Sequence, residues 1–440
     1  MPAGAHLLSF SLFAAVTLEL CNAGHETRAA ASLAIVWFVL GAASLVALGA
    51  ATLPLKFLRL WDRQALLLGA AMTVASLLIF RLFQGLWNDG AAVTMHGVEL
   101  VLRFLGFHVV AAGKVIGTER FPVQILPACS GYEGMGLFLA FSLAWLAWFR
   151  KEFRFPAALL LVPAGLALSW ALNVLRIAGL IIIGHFGYPK IALGGFHSQA
   201  GWIAFTLLAV AFCTLVHQIP GILTGAATRP ADRHPTHDPA PSFLGPFVAM
   251  QAAAMISMAA SSGVEWLYPL RVLTPTAVLL WYRREYLQAQ LRPGAIAHST
   301  AVGIVVASLW AVVAWHAAPQ LRQVEVPWRD AWWFFRFAGA VIIAPLSEEL
   351  AFRGYLMRRV RRPDVEKVDP RRCGWLGPVL SSIAFGLLHG SRWMEGIGAG
   401  LLYSHVYARR GRLGDAILAH SVTNLVLMTT VFYTGDWRFW

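Results

Sequence analysis

The feature that most constrains this 440-residue chain is a series of long apolar blocks without charge. Residues 29–55, 198–216, 243–264 and 416–433 contain no Asp, Glu, Lys or Arg, and residues 155–184 contain one, Arg176. A helix needs roughly 20 such residues to cross the hydrocarbon of a bilayer. In that solvent only helices and closed barrels satisfy their own backbone polar groups. With 58% hydrophobic and 13% charged residues, the chain is expected to be all-α: a polytopic transmembrane helix bundle of two membrane domains with about a dozen spans. The first apolar segment, about residues 7–21, lacks a basic leader and a small-residue cleavage site, and is read as a retained helix.

A formal net charge of +13 would point to nucleic acid in a soluble protein. Here the basic residues crowd into short loops: Lys56, Arg59 and Arg63; Arg150, Lys151 and Arg154; Arg229 and Arg233; Arg283 and Arg284; Arg358, Arg359, Arg361 and Arg362. The positive-inside rule places each of these in the cytoplasm of a bacterial inner membrane, so the expected partner is the lipid bilayer and not nucleic acid. Threading the spans through them leaves residues 82–131 outside. An inward helix, an outward helix to residue 184, an external loop and a second inward helix follow. The proline-rich run TRPADRHPTHDPAPS, residues 228–242, reads as a cytoplasmic linker. It divides the chain into a first domain, 1–220, a linker, 221–242, and a second domain, 243–440. The halves show no self-similarity, which favours two fused modules over an inverted-repeat transporter.

Four scattered cysteines form neither a CxxC pair nor a disulfide framework. Cys129 stands out, in PACSGYEGMG, where a turn precedes a helix whose positive end favours a thiolate. Arg176, in NVLRI, is a charge inside an apolar span and needs a partner or a task; Asn173, three residues earlier, shares its helical face. His197, in GGFHSQAGW, opens the next inward helix. The topology sets all three at the outer leaflet. A nucleophile, a base and a cation for a developing oxyanion are what acyl transfer through a thioester requires. The boxes, spread over residues 1–220, resemble the exosortase family. The resemblance implies that Cys129 is the nucleophile, that Arg176 and His197 complete the triad, and that cleavage or transfer takes place at the periplasmic face. It also implies membrane-anchored protein substrates bearing a C-terminal sorting signal: a short motif, a hydrophobic helix and a basic tail.

The second half carries SEELAFRG, FGLLH and HSVTN beside or within apolar blocks. Glu349 and Arg353 are four apart and can pair on one helical face, whereas Glu348 points about 100° away. An unpaired, desolvated carboxylate suits a general base. His420 and Asn424, also four apart, can reach one point and suit an oxyanion. Glu with two histidines also suits zinc, but HExxH is absent and the spacing forces no metal site. No cofactor is expected, with zinc at this second centre the lesser alternative. The boxes EExxxR, FxxxH and HxxxN, over about residues 330–432, are similar to the CPBP family of glutamate-type intramembrane proteases, related to the CAAX prenyl endopeptidase. The resemblance implies that Glu348 and His389 activate water while His420 and Asn424 hold the oxyanion. Hydropathy sets Glu348 near the cytoplasmic end of its span and His389 toward the far end of the next. Their meeting therefore requires either a half-span segment at 374–388 or a long, tilted Glu348 helix.

The order of the two modules resembles the exosortase E/protease fusion, a variant associated with VPEID-type sorting signals. Two rivals remain. One is a transporter or channel whose Arg176, Arg336, Glu348 and histidines line a polar pathway. The other is an assembly scaffold with a degenerate protease half, against which a buried Glu348 argues.

Overall fold

The computed structural model describes residues 2–22, 36–41, 43–44, 47, 87–125, 131–219, 221–224, 238–288, 291, 293–326, 328–362 and 364–440. They fall in two compact units, Met1–Gly85 and Leu86–Trp440. In the first unit, α1 (Pro2–Asn22) carries the apolar segment read as a retained helix. Residues 36–41 and 43–44 pack along it: Trp37 Nε1 donates to Thr17 Oγ1 at 2.8 Å, and His6 Nδ1 meets the Ser44 carbonyl at 3.0 Å.

The second unit opens with α2 (Trp87–Phe104) and a small antiparallel sheet. Its strands, β1 (Val110–Ala112), β2 (Val115–Thr118) and β3 (Phe121–Gln124), lie in the order β1-β2-β3, with Ala111 opposite Ile116 and Ile116 opposite Val123. The sheet falls inside the stretch read as external, and the all-α expectation had no place for it. A core of Val98, Leu102, Ile116, Val174, Ile177 and Ile181 fixes α2 and the sheet against α4. The helices α3 (Tyr132–Trp148), α4 (Leu161–His185) and α5 (His197–Leu215) follow. A short turn, Pro189–Ile191, and a π-helical segment, Ala192–Phe196, join α4 to α5.

The C-terminal part begins with α6 (Ala240–Ala259), α7 (Leu270–Trp281) and α8 (Ile296–Trp315). Next comes a continuous helix over residues 329–359. It consists of α9 (Arg329–Ala338), α10 (Ala344–Glu349) and α11 (Met357–Arg359), linked by π-helical segments at Gly339–Ile343 and Leu350–Leu356. The helices α12 (Leu376–Leu387), α13 (Trp393–Arg410) and α14 (Leu413–Thr434) complete the chain. Buried Asp415 on α14 accepts from the backbone N–H groups of Gly294 and Ala295 at 2.6 and 2.9 Å, serving the start of α8 from a distant helix.

Among the described residues five helical stretches are long and apolar enough to cross a membrane: Ala157–His185, Pro189–Gln218, Ala240–Ala259, Ile296–Trp315 and Leu413–Thr434. This is fewer than the dozen expected. The apolar helices Leu270–Trp281 and Leu376–Leu387 are too short, and at 1.5 Å per residue twelve residues cover about 18 Å. The long helix at 329–359 reaches about 46 Å by the same measure. Glu348 lies about 16 Å before its basic end and lines the same cavity as His389. The short α12 ends just before His389. A half-span and a long helix occur together, and the separation inferred from hydropathy disappears.

The two sequence halves meet within this second unit. Gly195, two residues before His197, lies against the carbonyls of Met258 and Ser261 at the end of α6, where a Cβ would have no room.

Candidate functional site

Two cavities collect the residues singled out in the sequence. The first, about 370 Å³, lies between α3, α4 and α5, and its lining includes Gly131, Glu133, Asn173, Arg176, His197 and Gly201. Arg176 comes from the apolar interior of α4 and His197 from the first position of α5, so residues on two helices share one wall. The bare backbone of Gly201 lets the guanidinium lie close to α5: a Cβ there would come within 2.8 Å of Arg176 Nη1. Gly131 has a φ of +91° and faces the Asn173 amide, at 2.9 Å from the place a Cβ would occupy. Only glycine takes that backbone shape readily, and it brings the start of α3 onto the cavity. Cys129, two residues before it, lies outside the described residues. The structure thus brings Arg176 and His197 to one cavity, which Gly131 also lines. Of the other cysteines, Cys373 is buried, and burial pushes its thiol pKa up, the behaviour of an inert packing thiol.

The second cavity, about 360 Å³, is lined by Glu348, His389, His420 and Asn424, with Arg336, Phe385, Tyr403, Glu265 and Arg271 among its further walls. Glu349 and Arg353 lie behind it with fully buried side chains. Arg353 Nη1 donates to Glu349 Oε1 at 3.1 Å, while Nη2 donates to the Gly400 carbonyl at 3.0 Å and Nε to Ser404 Oγ at 3.4 Å. The same Glu349 oxygen lies 2.9 Å from His420 Nδ1. As Oε1 accepts from Arg353, the imidazole takes the donor role there, and its Nε2 is left facing Glu348 Oε2 at 3.8 Å. Tyr403 stacks on this imidazole, with ring centres 4.8 Å apart and planes 18° from parallel, and donates its hydroxyl to Thr423 Oγ1 at 2.8 Å. The ring of His389 packs on Phe385 and Trp310 at 4.7 and 5.6 Å. Its Nδ1 lies 2.9 Å from the Phe385 carbonyl, which can only accept, so Nδ1 carries the proton and Nε2 is free to act as a base.

Asn424 has a second attachment that its spacing from His420 does not reveal. Its Nδ2 donates to the Ala340 carbonyl at 2.8 Å. In the π-helical segment the Ala344 N–H bonds the Gly339 carbonyl, and the residue that would serve Ala340 by the same i→i+5 pattern is Pro345, which has no N–H. Asn424 fills that gap, so the bulge fixes the side chain as well as the helix. Tyr403 and Arg336 were not expected at this site. Neither lies within the three boxes, and no spacing ties Tyr403 to His420. Among the described residues no group of three or more His, Cys, Asp and Glu is arranged to hold a metal ion.

Two family models match separate parts of the chain. The transmembrane exosortase (Exosortase_EpsH) model matches residues 1–214, a range that contains Cys129, Arg176 and His197. The Rce1-like type II CAAX prenyl endopeptidase model matches residues 330–426, from Asp330 through all three boxes to two residues past Asn424. No curated protein and no solved structure matches the chain. The chain is a multi-pass membrane protein that is similar to transmembrane exosortases over residues 1–214 and to Rce1-like CAAX proteases over residues 330–426, the order of a membrane protease fusion.

Proposed function

We propose that this inner-membrane protein runs two separate peptide-cleaving centres. At the first, on the periplasmic face, the Cys129 thiolate attacks the scissile carbonyl of a membrane-anchored protein carrying a C-terminal sorting helix. Arg176 holds the oxyanion, and His197 passes a proton to the departing amine. The resulting thioester is released by water or by an acceptor nucleophile. What supports this reading is the shared cavity of Arg176 and His197, closed on one side by the glycine that follows the Cys129 segment.

At the second centre, Glu348 takes a proton from water with His389 beside it, the hydroxide attacks a peptide carbonyl, and the proton passes to the leaving amine. His420 and Asn424 face the developing oxyanion. The observation that carries this reading is the division of labour between adjacent glutamates. Glu349 is sealed into a buried chain with Arg353 and His420, and Glu348 alone of the two lines the cavity. Buried carboxylates are costly unless paired, so one glutamate builds the site and the other is available for chemistry.

The test of the first centre is chemical. Co-production with a tagged protein bearing a sorting helix is expected to give a hydroxylamine-labile adduct on Cys129. Efficient processing by the Cys129→Ala protein would reject the assignment.

A further inference from the structure

The turn that follows α6 touches the approach to the first cavity and walls the second. Gly195, two residues before His197, is seated on the carbonyls of Met258 and Ser261, and His197 itself lines the first cavity. Four residues beyond Ser261, Glu265 lines the second cavity, as do Tyr268 in the same turn and Met250 on α6. The Trp332 indole donates to the Glu265 carbonyl at 2.8 Å and ties this turn to α9. Four residues span at most about 14 Å even when fully extended. A helix with its side chains is about 10–12 Å across, so the start of α5 and the wall of the second cavity stand little more than one helix apart.

The start of α5 and this turn lie at one end of the bundle. The turn touches α9, which begins the long helix whose other end carries Arg358 and Arg359. The positive-inside rule sets those arginines in the cytoplasm, and so the turn at the outer face. Cleavage at the first centre leaves a product fixed at that face. As the thioester forms, the C–N bond of the scissile peptide breaks and the departing nitrogen takes a proton. The sorting helix keeps its apolar length and gains a free amino terminus outside, while its basic tail holds its other end in the cytoplasm. Such a helix stays in the bilayer, where a protease working within the membrane can reach it.

We propose that this severed sorting helix is the substrate of the second centre, so that the fused chain cuts one protein twice. Cys129 separates the exported part, and Glu348 then breaks the helix left behind. This rests on both assignments made above. In the second step water adds across a peptide bond of the helix: its hydroxyl goes to the carbonyl carbon, and its proton, taken by Glu348, passes to the nitrogen as the C–N bond breaks. Joining the two centres in one chain raises the local concentration of the fragment at the second cavity over that of other membrane helices.

The test is a pulse-chase of a co-produced sorting-helix protein tagged at its N-terminus and after its basic tail. The tail-tagged fragment is expected to live at least fivefold longer with Glu348→Gln than with the unsubstituted enzyme, and its formation there shows that the variant folds. The fragment is also produced already severed, behind a cleavable signal peptide that leaves it starting at the cut. In that form it is expected to be degraded equally fast by the unsubstituted protein and by Cys129→Ala, and to persist with Glu348→Gln. Equal fragment lifetimes with and without the Glu348 carboxylate, or breakage of the uncut protein within its helix by Cys129→Ala, would overturn the proposal. Digestion of fluorescent casein by the purified protein separates the failures. Glu348-dependent digestion of casein beside a stable fragment would count against the hand-over alone. With neither substrate digested in a Glu348-dependent way, the Glu348 assignment falls with it. Release of the exported part by Cys129→Ala would reject the first centre, and the proposal with it.

Discussion

The two cavities are nearly equal in volume, at about 370 and 360 Å³, yet they are held together in different ways. In the second, the polar groups are locked by direct bonds across helices: Arg353 to Glu349, Glu349 to His420, Tyr403 to Thr423 and Asn424 to the Ala340 carbonyl. In the first, glycines at 131 and 201 let Asn173 and Arg176 approach their neighbours. A site deep within helices must satisfy its polar groups internally, and the second cavity does so for most of them with a fixed network, Arg336 Nε and Glu349 Oε2 being left without a hydrogen-bond partner. The geometry of the first depends on how closely the backbone at 131 and 201 approaches Asn173 and Arg176.

The largest expected effect would break the network of the second cavity alone. Arg353→Ala leaves Glu349 buried without its cation and removes the bonds to Gly400 and Ser404. Loss of one partner of a buried pair costs about 3–5 kcal/mol. Thermal unfolding in detergent is expected to show a clear drop in Tm, while processing at the first centre near room temperature stays within about threefold. An unchanged Tm would mean that the network does not hold the second half together.

The reverse test addresses the first cavity. Gly201→Ala places a methyl group 2.8 Å from Arg176 Nη1, and the guanidinium must move aside. Processing of a sorting-helix substrate is expected to fall about tenfold, corresponding to about 1.4 kcal/mol in the barrier, with little change in Tm. A fall in Tm without a fall in processing would place the glycine in packing and not in the site. The smallest effect sharpens the comparison. Tyr403→Phe keeps the stack on His420 and removes only the hydroxyl bonded to Thr423, with an expected loss of about 1 kcal/mol of stability, read as a small shift in Tm. No shift at all would show the hydroxyl to be dispensable to the network.

Much of the second site was legible because it is local. A spacing of four predicts the Glu349–Arg353 pair and leaves Glu348 on another face, and the structure has Arg353 on Glu349 and Glu348 on the cavity. Glu348 and His389 were set apart because hydropathy treats each apolar block as one straight span, whereas here a long helix adjoins a short one and both residues line one cavity. The role of Asn424 in holding the bulge was hidden as well. It arises from Pro345 just after a π-helical segment, and such segments have no periodicity of their own in sequence. The sheet at 110–124 escaped notice because its strands are three or four residues long, too brief for an alternating pattern to be distinguished from loop. Arg336 was visible only as an intramembrane charge. The rings of residues 268, 437 and 440 around it, distant in sequence, emerge only in the structure.

The central claim is that one chain holds two independent proteolytic centres. The most direct measurement follows, by immunoblot in the same cells, a co-produced protein carrying a C-terminal sorting helix, with the unsubstituted enzyme, with Cys129→Ala and with Glu348→Ala. Processing is expected to vanish with Cys129→Ala and to persist with Glu348→Ala. Processing that survives loss of the sulfur, or that stops on loss of the Glu348 carboxylate in a protein that still folds, would contradict it.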